Sequence, residues 1–201
     1  LEPPYPLPQP GRLYRLGWIV YLVMAVAGTL WIGIRERGPI PLGLFLDRRE
    51  WWLDALLGLG AGVLLLGLWW GVEGVSPLAR KLQEQLSAIL GSLTGSEAFA
   101  LALLSGFAEE LFFRGAVQGQ WGWIAATVLF ALLHTGPGKH FRLWTLFAAL
   151  AGALFGGLML WRGNLLAPVL AHVLVNGVNL RRLARDSGRL PPGSRQSEEE
   201  G

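Results

Sequence analysis

The stretch FAEELFFRGAVQGQ, residues 107–120, places Glu109, Glu110 and Arg114 inside an otherwise apolar segment. Its neighbours show what kind of segment it is. Apolar runs cover 16–34, 53–72, 98 to about 118, 123–134, 143–161 and 165–180, and most are long enough to cross roughly 30 Å of hydrocarbon as helices. The chain of 201 residues is 52% hydrophobic and only 15% charged, and its mean hydropathy is +0.42. The expected fold is therefore all-α: a polytopic membrane bundle of about six transmembrane helices, with one amphipathic surface helix.

The first run could be read as a cleaved signal peptide. It is rich in large side chains and followed by RERGP instead of a small-residue cleavage site, so it is expected to stay in the mature protein. Six spans put both ends of the chain on one side. On that side lie eleven Lys and Arg, against five (Arg35, Arg37, Arg48, Arg49 and Arg162) in the opposite loops, so both termini are expected in the cytoplasm. The pI near 9.8 follows from this bias. Because the basic residues flank spans and form no soluble basic face, nucleic acid is excluded as a partner. With no cysteine there is no disulfide, thiolate zinc site or cysteine nucleophile. Heavy use of Leu, Gly, Ala, Arg and Trp suggests a bacterial coding bias, and with it the inner (plasma) membrane of a bacterium.

The expected organisation is an N-terminal tail at 1–15, an integral membrane domain at 16–180 with its motif-bearing core at 76–180, and a disordered cytoplasmic tail at 181–201. Residues 1–11 are proline-rich and read as extended. Between the second and third runs, Ser76 and Pro77 open a segment, 77–93, whose leucines recur every four residues against a polar face. A helix lying on the membrane surface fits it, and so does a packed linker helix. Ser96 before Glu97 reads as the cap of the third span. Glycine pairs at helical spacing, 58/62 and 152/156, permit close helix approach.

Within the spans, Glu110 and Arg114 are four apart and can pair. Glu109 lies about 100° around the helix without such a partner, which makes it a candidate general base. His134 ends the fourth run, and His172 is followed one turn later by Asn176, with Asn179 nearly on the same face. His140, in a loop, reads as solvated. If the third and fourth runs form a hairpin turning near 120–122, Glu109 and His134 each lie about twelve residues from the turn and reach one depth at roughly 1.5 Å per residue. Each group alone has a structural explanation: an ion pair for Glu110 and Arg114, a satisfied buried imidazole for either histidine, helix-to-helix hydrogen bonding for Asn176. Five polar groups converging in one layer are hard to assign to packing.

These residues resemble a known family. EELFFR at 109–114 is similar to an EExxxR signature, FALLH at 130–134 to FxxxH, and HVLVN at 172–176 to HxxxN. Together they resemble the intramembrane proteases that include type II CAAX prenyl endopeptidases and bacteriocin-processing or immunity proteins, the CPBP or Abi family. The resemblance implies a membrane endopeptidase acting on a membrane-embedded or lipid-modified peptide or protein, with its site open to the cytoplasm. It implies Glu109 as the base that activates water, His134 positioning that water, His172 and Asn176 stabilising the oxyanion, and Glu110 with Arg114 in support. Other intramembrane chemistries lack their motifs: there is no HExxH, no GxGD pair, and Ser105 in LLSGF lacks the setting of a rhomboid-type nucleophile. Three alternatives stay open. One is a zinc-dependent protease with Glu109, His134 and His172 as ligands, disfavoured by the nearby arginine. The others are a non-catalytic immunity or peptide-binding protein and a small transporter. The favoured reading needs no cofactor.

Overall fold

The computed structural model describes residues 11–47, 49–90 and 93–187. The expectations for residues 1–10 and 188–201 lie outside the described residues. Among the described residues seven α-helices run α1 (Arg12–Glu36), α2 (Trp51–Val75), α3 (Pro77–Leu90), α4 (Gly95–Glu110), α5 (Gln118–Leu133), α6 (Phe141–Arg162) and α7 (Leu166–Ser187), with a π-helical segment, Leu111–Val117, joining α4 to α5. No strand occurs among the described residues. Four helical segments are long and apolar enough to span a membrane: Arg12–Glu36, Trp51–Val75, Gly95–Leu133 and Phe141–Arg162. Apolar side chains such as Ile19, Val23, Leu56, Val63, Leu146 and Leu160 are exposed along them, as lipid contact requires of an integral membrane protein.

The third of these segments is 39 residues long because it contains two of the expected spans. Gly122 breaks it, with φ 84° and ψ 171°, a conformation that needs glycine. The chain doubles back there, so Phe113 and Phe130 meet edge to face with centroids 5.1 Å apart. The hairpin expected near 120–122 is thus present. The last expected span, 165–180, is different. As α7 it has the length, but His172, Asn176, Asn179 and its arginines keep it out of the apolar set. It is sheltered by packing chiefly against α4 and α2.

Close approach around α7 depends on glycine. A Cβ at Gly58 of α2 would collide with the carbonyl oxygen of Ala167. One at Gly106 of α4 would come within 2.5 Å of Val173 Cγ2 and 3.0 Å of Val173 N. The boundary placed at residue 180 does not hold, since α7 continues through Ser187. Leu183 is buried, and Arg182 donates two hydrogen bonds of 2.7 Å to Glu73 of α2, which together keep the polar segment helical.

Helix α3 is strongly amphipathic and opens as expected, with Ser76 Oγ accepting from the Ala79 N–H. It packs across α7, α2 and α6, burying Ala79 and Leu82. The cap of α4 is Thr94, not Ser96. Thr94 accepts from the Glu97 N–H while the Glu97 carboxylate takes the Thr94 N–H, a complete capping box.

Candidate active site

The π-helical segment carries Arg114 and follows directly on Glu109 and Glu110. Widening of a helix by one residue per turn disturbs its carbonyl pairing. Arg35, arriving from α1, donates to the carbonyls of Gly115 and Ala116 at 3.0 and 3.2 Å. On the other side, Arg114 and Gln118 donate to the carbonyls of Gly152 and Gly156 at 3.2 and 3.0 Å, where glycine lets α6 approach. A Cβ at Gly156 would strike Trp123.

At the centre lie the expected carboxylates. Glu110 is wholly buried and pairs with Arg114 at 3.1 Å through one oxygen; its other oxygen takes a 2.7 Å hydrogen bond from His172 Nδ1. The Arg114 guanidinium sits 4.5 Å from the Phe130 ring centre, with Phe113 and Phe155 also beside it. Phe155 stacks on His172 at 5.3 Å. Glu110 therefore does more than pair with Arg114, because it fixes the ring that faces Glu109.

Glu109 is held differently. Its Oε2 makes no hydrogen bond among the described residues. It lies 3.8 Å from His134 Nε2 and 4.0 Å from His172 Nε2. The His134 Nδ1 lies 2.7 Å from the Phe130 carbonyl oxygen, which can only accept, so that nitrogen carries the proton and Nε2 of the neutral ring is an acceptor. Two acceptors then face each other across 3.8 Å. They cannot bond to one another, but a single water can donate a proton to each.

Asn176 lies beside this group and donates to Ser105 Oγ at 2.9 Å. Glu109, His134, Asn176 and Asn179 all line one cavity of about 350 Å³, together with residues of α1, α3 and α7. Its wall is largely apolar, with Leu16, Val20, Trp69, Phe147 and Leu183 among its residues. An inner recess of about 30 Å³, lined by Phe130, His134, His172 and Asn176, has the volume of about one water. Glu109, Glu110, Arg114, His134, His172 and Asn176 are thus brought together. His140 is not among them; it is half-buried against Phe141 instead of freely solvated.

Sequence reasoning missed Tyr21 and gave Ser105 the wrong question. Tyr21 of α1 lines the cavity together with Glu109 and Ser105, a tertiary approach with no local signal. Ser105 donates to the Ala102 carbonyl and accepts from Asn176, so no base is placed to make it a nucleophile. Its position one turn before Glu109 was the available clue.

Residues 91–178 match the family model described as Type II CAAX prenyl endopeptidase Rce1-like. The matched segment is less than half of the chain. The matched segment holds every expected site residue from Glu109 to Asn176 and leaves α1, α2 and α3 outside. The chain is also similar to the uncharacterized protein YpbD of Bacillus subtilis (strain 168), at 38% identity over 80 residues. That stretch is 39% of this chain and 41% of the relative, so the similarity spans about two fifths of each. No solved structure matches the chain.

For zinc, Glu109, His134 and His172 offer suitable donor types. Among the described residues no three His, Cys, Asp or Glu side chains are grouped to hold a metal ion. The fully buried Arg114 also adds positive charge next to the carboxylate pair.

Proposed function

We propose that this protein is an intramembrane endopeptidase that hydrolyses a peptide bond of a membrane-associated peptide or protein with a water activated by Glu109. The observation that carries this reading is the pair of facing acceptors, Glu109 Oε2 and His134 Nε2, 3.8 Å apart in a cavity wall. A water donating to both presents a lone pair toward the cavity. As its oxygen attacks the substrate carbonyl carbon, Glu109 takes one of its protons. The carbonyl oxygen becomes an oxyanion, for which Asn176 and His172 Nε2 are the donors at hand. With Nδ1 bonded to Glu110, an Nε2–H on His172 requires the imidazolium form, in which both nitrogens donate. Collapse of the intermediate breaks the C–N bond, the Glu109 proton passes to the leaving amine, and a carboxylic acid is released.

The apolar cavity wall supports a substrate carrying lipid-like or transmembrane surface. The distribution of Lys and Arg supports entry from the cytoplasmic side, since the cavity is lined at the ends of helices that carry the basic excess.

The test is cleavage of a membrane-embedded peptide library by the purified chain, with wild type and Glu109→Gln compared in the presence and absence of a strong chelator. We expect cleavage that survives chelation and falls at least about 1,000-fold in Glu109→Gln. Turnover retained by Glu109→Gln sinks the assigned base. Loss on chelation with rescue by zinc replaces this mechanism by a metal-dependent one, and a folded wild type that cleaves nothing favours a peptide-binding or immunity role.

A further inference from the structure

Ser105 has no base placed to make it a nucleophile, yet it is buried in the middle of α4 and bonded to a residue of the candidate site. Helices α4 and α7 pass each other in register here. Glu109 Oε2 lies 4.0 Å from His172 Nε2, and one turn away on both helices Asn176 Nδ2 donates to Ser105 Oγ at 2.9 Å. Four residues separate the two contacts on each helix, so both belong to one face of α4 and one face of α7. Glycines bring the backbones together beside them. A Cβ at Gly106 would lie 3.0 Å from Val173 N, and one at Gly177 would rest 3.8 Å from Ala102 Cβ.

Proton counting sets the direction of the bond. A serine hydroxyl carries one proton and two lone pairs. Inside a helix that proton turns back to a carbonyl of the preceding turn, here that of Ala102 at 3.3 Å. Toward Asn176 the oxygen can then only accept, so the nitrogen end of the amide faces Ser105. The amide nitrogen has two protons. One goes to Ser105, and the other remains for the cavity and the inner recess that Asn176 lines.

We propose that Ser105 is a positioning residue whose hydroxyl oxygen fixes the orientation of the Asn176 amide, one turn from Glu109 and His172, and so keeps its second N–H for the oxyanion. A flipped amide puts Oδ1 in the place of Nδ2, and a lone pair where that N–H was, which repels the developing charge instead of stabilising it. The effect on turnover rests on the protease reading; the hydrogen bond does not.

Two measurements on the purified full chain separate them. The chain has three asparagines, Asn164, Asn176 and Asn179, so nitrogen-15 in the asparagine side chains gives three amide pairs, of which Asn176→Ala removes one and thereby assigns it. In Ser105→Ala, one Asn176 amide proton is expected to move upfield and both to exchange faster with water. Ser105→Cys, which keeps the shape of serine but offers only a weak acceptor, moves the same proton the same way by less. It reads the contact even if Ser105→Ala fails to fold.

On a library peptide that the wild type cleaves, Ser105→Ala lowers kcat by between about tenfold and about 100-fold, with KM held within about twofold. In an Asn176→Ala background, itself slower by about 100-fold or more, the same change costs less than about twofold, because Ser105 acts only through that amide. A helix merely loosened by the loss of its serine would slow both backgrounds alike. Unmoved Asn176 protons overturn the proposal. So does an unchanged kcat, a loss confined to KM, or an equal loss in the Asn176→Ala background. A wild type that cleaves nothing refutes the protease reading instead, and the amide protons still decide whether Ser105 holds Asn176.

Discussion

Among the described residues, buried carboxylates meet arginine in one cluster at the start of α7 and in another further along it, beside His172. Near its start, Asp54 of α2 is wholly buried between Arg162 Nε on one oxygen and Asn164 Nδ2, at 2.9 Å, on the other. Arg162 continues to Glu50 at 2.8 Å, and Asn164 Oδ1 accepts the Leu166 N–H at 3.0 Å. Every one of these groups is spent on a partner. Further along α7, Glu109 Oε2 and Arg114 Nη1 make no hydrogen bond among the described residues, and Glu109 faces a cavity. The same residue types therefore build a clasp in one place and line a cavity in the other. What separates them is satisfaction: a paired buried charge holds structure, whereas an unpaired one facing a cavity retains free energy to release on meeting water or substrate.

Replacing one carboxylate in each cluster by its amide breaks the comparison most sharply. Glu109→Gln, expected to lose about 1,000-fold in turnover, equivalent to about 4 kcal/mol, should leave the thermal unfolding midpoint in detergent unchanged or raised, since it removes a buried charge whose Oε2 makes no hydrogen bond among the described residues. Asp54→Asn should do the reverse. It costs about 3 kcal/mol of stability, while turnover per folded molecule stays at the wild-type level. A lower midpoint in Glu109→Gln would mean that its carboxylate is as well paired as that of Asp54, and the distinction would fail.

The two glycines that seat α7 sharpen the point at a smaller scale. Gly58→Ala and Gly106→Ala each force a methyl into the α7 backbone or its Val173 side chain, at a cost of about 2 kcal/mol. Ala167 lies beside the clasp and Val173 follows His172. We expect both variants to unfold earlier, but only Gly106→Ala to lose turnover per folded molecule. Equal losses of turnover would show that α7 moves as one rigid body and that the site has no local tolerance of its own.

Much of this was legible in the sequence for a physical reason. Apolar runs fix helix number, and charges inside such runs are costly enough that Glu109, Glu110, Arg114, His134 and His172 stand out individually. Counting residues from a Gly-containing turn placed Glu109 and His134 at one depth. Contacts between helices distant in sequence were beyond that method. The bond from His172 to Glu110, the approach of Tyr21 and the Arg35 hold on the π-helical carbonyls depend on how the helices rotate about their axes, which apolar runs do not specify. The π-helical widening itself has no composition signal. Misplacing the α4 cap at Ser96 has a plainer origin, since Thr94 and Ser96 are both good caps and only the Glu97 return bond selects Thr94.

That cap supplies the gentlest test of the comparison. Thr94 is exposed at the start of the helix that carries Glu109 and Glu110, whereas Asn164, also satisfying a helix-opening N–H, is buried in the clasp. Thr94→Ala should cost about 1 kcal/mol of stability, because water can replace much of the lost bond. Asn164→Ala should cost more, since it also strips a donor from Asp54. Neither is expected to change kcat, because Glu110 is fixed by Arg114 and His172 several turns away from Thr94. If Thr94→Ala lowered kcat in proportion to its stability loss, preorganisation of the site would depend on the whole of α4. The difference between clasp and site would then be one of degree, set by how far each lies from a frayed helix end.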